Sequence, residues 1–167
     1  DKTYLGILLM VDIFTKYAAV VLIKTNTVPD VLEAVKECLN KMGGKPEMIY
    51  SDNEGAWSTG TLIDKYFQAE KIQHIITRSH APVAERTIRT IKSMVYKQGW
   101  ENKWKWYNGI GPVLLIYKNS MVHSSVKMTP NEARKPANEV NVRLNLQLNR
   151  TRLRKYPNIS VGDNVKL

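Results

Sequence analysis

Three carboxylates stand where chemistry is to be expected. Asp12 ends an apolar run from Tyr4 to Val11, Asp52 ends a shorter run from Glu47 to Ser51, and Glu85 lies in the opening turns of a long amphipathic segment. A carboxylate at the end of an apolar strand is costly to bury unless it is paired or binds metal. In open α/β sheets, ligands collect at the carboxyl ends of strands. If the two strands are parallel neighbours, Asp12 and Asp52 emerge side by side, and a helix starting after the next strand brings Glu85 to the same edge. Three converging carboxylates repel one another and favour hard divalent cations. Mg2+ and Mn2+ take oxygen ligands, a few of them from protein and the rest from water and substrate phosphates. Two such ions serve an in-line phosphoryl displacement by activating the nucleophile and stabilising the leaving oxygen, so no covalent serine or histidine is needed. Each residue also has an ordinary reading. An Asp after a strand is commonly a turn or cap residue, and Glu85 can pair with Arg89 one turn further on.

The helix that carries Glu85 supplies a second signal. Glu85, Arg89, Lys92 and Tyr96 recur at helical spacing on one face, flanked by Arg86 and Lys97. Cations beside an acidic site would hold DNA phosphates next to the metals, and Tyr96 could stack on a base or sugar. Without Glu85 the same pattern would read as an ordinary solvated helix face. His80, five residues before Glu85, is a candidate substrate contact or a structural loop histidine. Trp57, Trp100, Trp104 and Trp106 read as core or interface anchors.

The elements that must position these groups follow from periodicity and turn chemistry. Tyr4 to Val11 and Tyr17 to Ile23 predict two buried strands joined as a hairpin, with Lys24 to Thr27 a short third strand. Thr27 predicts an N-cap, with Pro29 and Asp30 in the first turn, Val31, Val35, Cys38, Leu39 and Met42 on the apolar stripe, and Gly43-Gly44 as the stop. Glu47 to Ser51 is a strand, and Thr61 to Ala69 a helix with Leu62, Ile63, Tyr66 and Phe67 inward. Gln73 to Ile76 is a further strand. A long helix runs from about Ala81 to Gln98, with Ala84, Ile88, Ile91 and Val95 as its stripe and Gly99 after its end. Lys103 to Met121 predicts helix interrupted near Gly111-Pro112, and Thr129 to Glu132 is a capping box that opens a last short helix. The order predicts a mixed α/β fold whose central sheet lies in the N-terminal half and is flanked by helices.

From about Asn138 the character changes. Arg143, Arg150, Arg152, Arg154 and Lys155 follow with no acid among them, as in a basic linker or extended helix. Tyr156 to Leu167 reads as a turn and one strand. The expected organisation is a core at residues 1–138, a linker at 139–155 and the start of a truncated small barrel at 156–167.

Composition narrows the partners. The formal net charge is +10, which favours nucleic acid first and an anionic membrane surface second. No apolar stretch approaches the length of a membrane span, and no signal peptide is visible. The single cysteine, Cys38, leaves no disulfide framework or structural zinc site within the chain and is expected to be buried and inert. The chain starts at Asp1 and runs straight into an apolar segment, as an excised piece of a longer protein would.

Four blocks in order now carry a resemblance: Val11 to Tyr17 (VDIFTKY), Tyr50 to Asn53 (YSDN), Ala84 to Arg86 (AER) and His123 to Ala133 (HSSVKMTPNEA). They resemble the signature blocks and closing segment of DDE integrase catalytic cores, the retroviral-type and transposon integrases. Asp52 to Trp57 and Thr77 to Lys92 depart from the retroviral pattern and resemble the integrases of Maverick/Polinton DNA transposons. The resemblance implies a ribonuclease-H-like fold with Asp12, Asp52 and Glu85 as catalytic metal ligands. It implies two Mg2+ or Mn2+ ions when DNA is bound, end processing and strand transfer, element and target DNA as partners, and action in the nucleus. A homodimer or larger multimer is implied too, since two DNA ends must be joined. Arg86, Arg89, Lys92, Tyr96, His80, Arg150, Arg152 and Arg154 are the expected DNA contacts. Ile159 to Leu167 resembles the first strand of the barrel that follows many integrase cores. Two alternatives stand beside this: a domesticated, non-catalytic DNA-binding protein of integrase descent, and a related metal-dependent nuclease.

Overall fold

The computed structural model describes residues 4–52, 55–77, 81–102 and 105–151. Strand β1 (Gly6–Val11) and strand β2 (Ala18–Ile23) form an antiparallel hairpin whose register runs from Gly6 opposite Ile23 to Val11 opposite Ala18. Helix α1 (Val28–Met42) follows. Strand β3 (Met48–Ser51), helix α2 (Leu62–Ala69) and strand β4 (Gln73–Ile76) then make a crossover unit in which β3 and β4 are parallel, from Met48 opposite Gln73 to Ser51 opposite Ile76. The rest is helical: α3 (Pro82–Asn102), α4 (Ile110–Asn119), α5 (Pro130–Ala133) and α6 (Glu139–Thr151).

The near-continuous apolar run of β1 is explained by what covers it. Ile7, Leu9 and Val11 on one face pack against a cluster built from Ala18, Val20, Ile91, Val95, Val113 and Tyr117, so α3 and α4 lie on that side. Leu8 and Met10 on the other face meet Val31, Val35, Leu39, Ile63 and Phe67 of α1 and α2. A strand packed on both faces cannot alternate with polar residues, which is why its sequence reads as a block. Ile49 of β3 joins the second cluster, so β1 and β3 share one core through side chains.

Several expectations need correction. The single central sheet is two two-stranded ladders, because the four-residue β3 pairs with β4 and no backbone ladder joins it to β1 among the described residues. Lys24 to Thr27 is not a strand. The Thr25 hydroxyl bonds to Asp30 and lies 3.1 Å from the Thr27 hydroxyl, so local side-chain bonds organise the approach to α1 in place of a ladder. Helix α3 runs through Gly99 to Asn102, and the break before α4 precedes Ile110. Gly111 and Pro112 therefore lie in the first turn of α4, where a missing N–H costs nothing. Leu62 faces solvent, whereas Ile63 and Phe67 are fully buried. Residues 139–151 are helix, the extended form of the expected basic stretch. That helix packs onto the core, with Val142 buried against Val126 and Ala133. The expected strand at 156–167 lies outside the described residues.

Thr27 stands at the N-cap position of α1 but makes no side-chain cap bond, whereas the other expected caps form. Gly43 takes φ 91° and sends its N–H to Asn40 at 3.0 Å, while Gly44 N–H reaches Leu39 O at 3.1 Å. The Thr129 and Glu132 side chains exchange bonds with each other's backbone N–H, the reciprocal capping box. Cys38 is fully buried, and burial pushes its thiol up to about 12, so it stays an inert apolar side chain. No helix among the described residues is long and apolar enough to cross a membrane.

Phe67 joins the layers most directly. It is fully buried, stacks 6.4 Å from Trp57 and meets the edge of His74 at 5.1 Å. Phe67→Ala is expected to lower unfolding free energy by about 3–5 kcal/mol, the usual cost of an emptied aromatic site. Urea unfolding checks this, and a loss below about 1 kcal/mol would mean that α2 does not hold the two ladders together.

Candidate active site

Asp12 sits at the start of the β1–β2 turn and builds it. Its N–H donates to Tyr17 O at 2.8 Å, and its carbonyl accepts from Lys16 N–H at 2.8 Å. Its carboxylate accepts from Phe14 N–H at 3.0 Å, from Thr15 N–H at 3.3 Å and from the Thr15 hydroxyl. The ordinary reading of Asp12 as a turn residue is thus realised. It does not exhaust the carboxylate, which offers about four lone-pair directions, of which these bonds use three.

Asp52 follows β3, and its side chain is exposed. A chain of bonds holds its backbone. Ser51 Oγ donates to Asp52 O at 3.0 Å and lies 2.9 Å from His74 Nε2. With the one hydroxyl proton directed at Asp52, the imidazole must be the donor at Nε2. Thr77 N–H and its hydroxyl both reach Ser51 O, at 2.8 and 3.1 Å, which ties the ends of β3 and β4 together. Because these strands are parallel, Asp52 and the segment leading into α3 leave from the same edge. Glu85 then lies half-buried in the first turn of α3, with its N–H on Ala81 O at 3.0 Å.

The start of α3 is stitched to the Asp12 turn. Tyr117 of α4 is fully buried, and its hydroxyl donates to Lys16 O at 2.8 Å. Burial raises the pKa of Tyr117, and the Thr87 side chain, two residues after Glu85, opposes that rise. The charge of Arg86 is felt at Lys16, which is half-buried beside Asp12. An open cleft of about 510 Å³ lies here, lined by Asp12, Ile13, Phe14, Lys16, Leu146 and Asn149.

The carboxylates, one on each of three elements, do not close on a common point. Among the described residues, no three His, Cys, Asp or Glu side chains come near enough to hold one ion. The donor set suits Mg2+ or Mn2+ in kind, being all carboxylate oxygen, and Asp12 retains acceptor capacity. It does not yet suit them in spacing. Of the expected DNA contacts, Arg86, Arg89, Lys92 and Tyr96 are all exposed on α3, Tyr96 at 76%. Arg150 is helical, with its side chain outside the described set, and His80, Arg152 and Arg154 lie outside the described residues. Sequence reasoning passed over Lys16, Ser51 and His74. The signals were present: a lysine four residues from Asp12 in the same block, and a lone histidine in an apolar strand.

No protein-family model matches this sequence, and no curated protein matches it. Solved structures do. The HTLV-2 integrase catalytic core domain in complex with magnesium, in its dimeric form, matches with a TM-score of 0.66 at 21% identity, over 77% of this chain and 83% of that one. Its trimeric form gives 0.65 at 21% identity, over 81% and 93%. A chain of the simian T-cell lymphotropic virus intasome in complex with PP2A regulatory subunit B56 gamma gives 0.69 at 18% identity, over 95% of this chain and 53% of that chain. This chain has the fold of an integrase catalytic core. That fold is ribonuclease-H-like, as the sequence blocks implied. Identities this low show the fold and leave the activity to be argued.

Burial lowers the pKa of His74, against the opposing pull of Asp64, and it lowers that of His123, where Lys16 adds to the effect. Both rings therefore titrate below the ordinary value of about 6.5. Between that value and the lower folded one, the unfolded chain binds protons that the folded chain does not. Stability is then lost as pH falls through about 6.5. The melting temperature is expected to drop between about pH 7.5 and about pH 5.5, and a His74→Gln, His123→Gln double variant to flatten that part of the curve. An equally steep fall in the double variant would assign the dependence to other groups.

Proposed function

We propose that this chain is the catalytic core of a metal-dependent polynucleotidyl transferase of the integrase kind, which trims DNA ends and joins them to target DNA. The observation that carries the reading is a conjunction. In an integrase-core fold, Asp12 follows β1, Asp52 follows β3, and Glu85 opens α3. Asp12, Asp52 and Glu85 would hold Mg2+ or Mn2+, which when bound supplies activation of the nucleophile and charge stabilisation at the leaving oxygen. The chain's own part is to position. Asp12 orders the turn that carries it, the Ser51–His74 pair and Thr77 hold the backbone that carries Asp52, and the exposed cations of α3 draw in DNA phosphate. Ion binding requires Asp52 and Glu85 to move toward Asp12. The exposure of Asp52 leaves it able to do so.

The described HTLV-2 relatives are dimeric and trimeric cores bound to magnesium, and the simian relative belongs to an intasome. We extend from them, to this chain, a divalent metal, DNA and self-association as partners. On motif texture we place it nearest the Maverick/Polinton integrases. A second reading, a DNA-binding derivative without catalysis, is favoured by one fact: the carboxylates do not meet.

A joining assay separates the two. Labelled DNA ends with target duplex and Mg2+ or Mn2+ are expected to yield joined products from the wild type, and background from Asp12→Asn, Glu85→Gln or a chelated sample. Products at wild-type level from Glu85→Gln would sink the catalytic reading. DNA binding without any product would select the binding-only one, and cleaved but never joined DNA a nuclease. Arg89→Ala and Lys92→Ala are each expected to lower the slope of log affinity against log salt by about 1, as loss of one phosphate contact does. An unchanged slope would remove those residues from the DNA face.

A further inference from the structure

We propose that Lys16 is a phosphate-binding residue of this site, gripping together with Arg86 one phosphodiester of the DNA strand that lies against Asp12. The inference rests on the DNA-acting reading above and adds to it a contact delivered by the hairpin turn itself, not by α3 alone.

The backbone of Lys16 is held with unusual completeness for a turn residue. It takes the left-handed conformation at φ 65°. Its N–H donates to Asp12 O at 2.8 Å, and its carbonyl accepts from Tyr117 hydroxyl at 2.8 Å. Tyr117 is itself fully buried. A flexible four-carbon side chain thus springs from a fixed point four residues from Asp12, and it lines the same cleft. One proton of its ammonium goes to Ile13 O at 2.6 Å. Two donors remain for a ligand.

The electrostatic setting calls for an anion. Lys16 is half-buried, and the charges that act on it are those of Asp12 in its own turn and of Arg86 on α3, far apart in sequence. Asp12 is the acidic group that acts on it, and the Asp12 oxygens already accept three bonds from their own turn. Like charges brought together from separate elements, and partly withdrawn from water, raise the energy of the apo state. A bound anion relieves that cost, and two cations around one oxygen cluster is how phosphate is commonly held. The rest of the cleft suits a nucleotide more than a free ion. Ile13, Phe14 and Leu146 offer apolar surface beside the cation for a sugar or base edge.

The bland role for Lys16 is to cap its own turn through Ile13 O, and the test separates the two. Affinity of the whole chain for a fluorescent DNA duplex is measured by anisotropy across a salt series, alongside thermal melts. Lys16→Gln and Arg86→Gln are each expected to lower the salt slope by about 1 and to weaken binding alike on unrelated sequences. Lys16→Arg is expected to restore the slope. The double variant is expected to lose less affinity than the product of the two single losses, since either change already opens the shared grip. A Lys16→Gln chain with lowered melting temperature and wild-type slope would make Lys16 a turn cap and overturn the proposal. If Lys16→Gln does not fold, Arg86→Gln carries the test, because Arg86 is exposed and outside the turn, and an unchanged slope there overturns the shared grip. A chain that joins DNA ends with a slope indifferent to Lys16 and Arg86 overturns this inference alone. A Lys16-dependent slope without joining overturns the catalytic reading alone, and no DNA binding at all overturns both.

Discussion

A strand covered on both faces governs this molecule. With Ile7, Leu9 and Val11 against α3 and α4, and Leu8 and Met10 against α1 and α2, β1 is half-buried throughout and has packing partners on both faces that hold its register. A slip of one residue would exchange its two faces and misplace both helical layers at once. Its end point is therefore well specified, and its end point is Asp12. The same packing sets the height of α3, because Ile91 and Val95 of that helix share a cluster with β1. Glu85 lies along the same helix as those two buried residues. The distance between a strand-end carboxylate and a helix-borne one is thus decided by hydrophobic packing, which no charged group would achieve alone.

Charge acts where packing stops. Asp12 follows β1, Asp52 follows β3 and Glu85 opens α3, each on a separate element. Asp12 settles part of its charge on the N–H groups of Phe14 and Thr15, and Asp52 remains in solvent. Among the described residues the arrangement is incomplete as a metal site. The three turn bonds leave the Asp12 carboxylate one lone-pair direction for a hard cation. The turn that makes Asp12 look structural therefore still leaves it able to be a ligand. The two readings of that residue do not compete.

What the sequence made legible was what local patterns control. The continuous run ending at Asp12, the Gly43-Gly44 stop, the Thr129–Glu132 box and the buried Cys38 all follow from periodicity or from cap chemistry within a few residues. The misreadings differ in cause. Lys24 to Thr27 has strand-like composition, but the Thr25 hydroxyl bonds to Asp30, a nearby acid that composition alone does not weigh. Gly99 reads as a stop, yet α3 continues past it, and Gly111-Pro112 reads as a break, yet it fits a first turn. The split of the sheet into two ladders is of another kind, since pairing between distant strands leaves no local mark. For the site, the three carboxylates were visible because each ends or opens an element. Lys16, Ser51 and His74 were not singled out, because their roles depend on partners from another element: Tyr117, or one another across β3 and β4.

The position of α6 bears on how such a site would receive DNA. Asn145 and Asn149 donate to Val126 O and Ser125 O at 2.9 and 2.7 Å, which pins the helix along the turn that His123 opens. Leu146 then reaches Phe14 of the Asp12 turn, and Asn149 completes the cleft wall. The basic stretch was expected as a linker or an extended helix, and its described part, α6, is a helix docked beside the Asp12 turn. Arg143 is held by Glu139 at 3.0 Å near the helix start, so its charge is partly spent within the helix. A strand lying in the cleft would therefore be met from two sides: by Lys16 from the turn, and by Leu146 and Asn149 of α6 on the other. Contact from both sides fixes direction as well as affinity. A reaction that must choose one phosphodiester among many equal ones depends on the former more than on the latter.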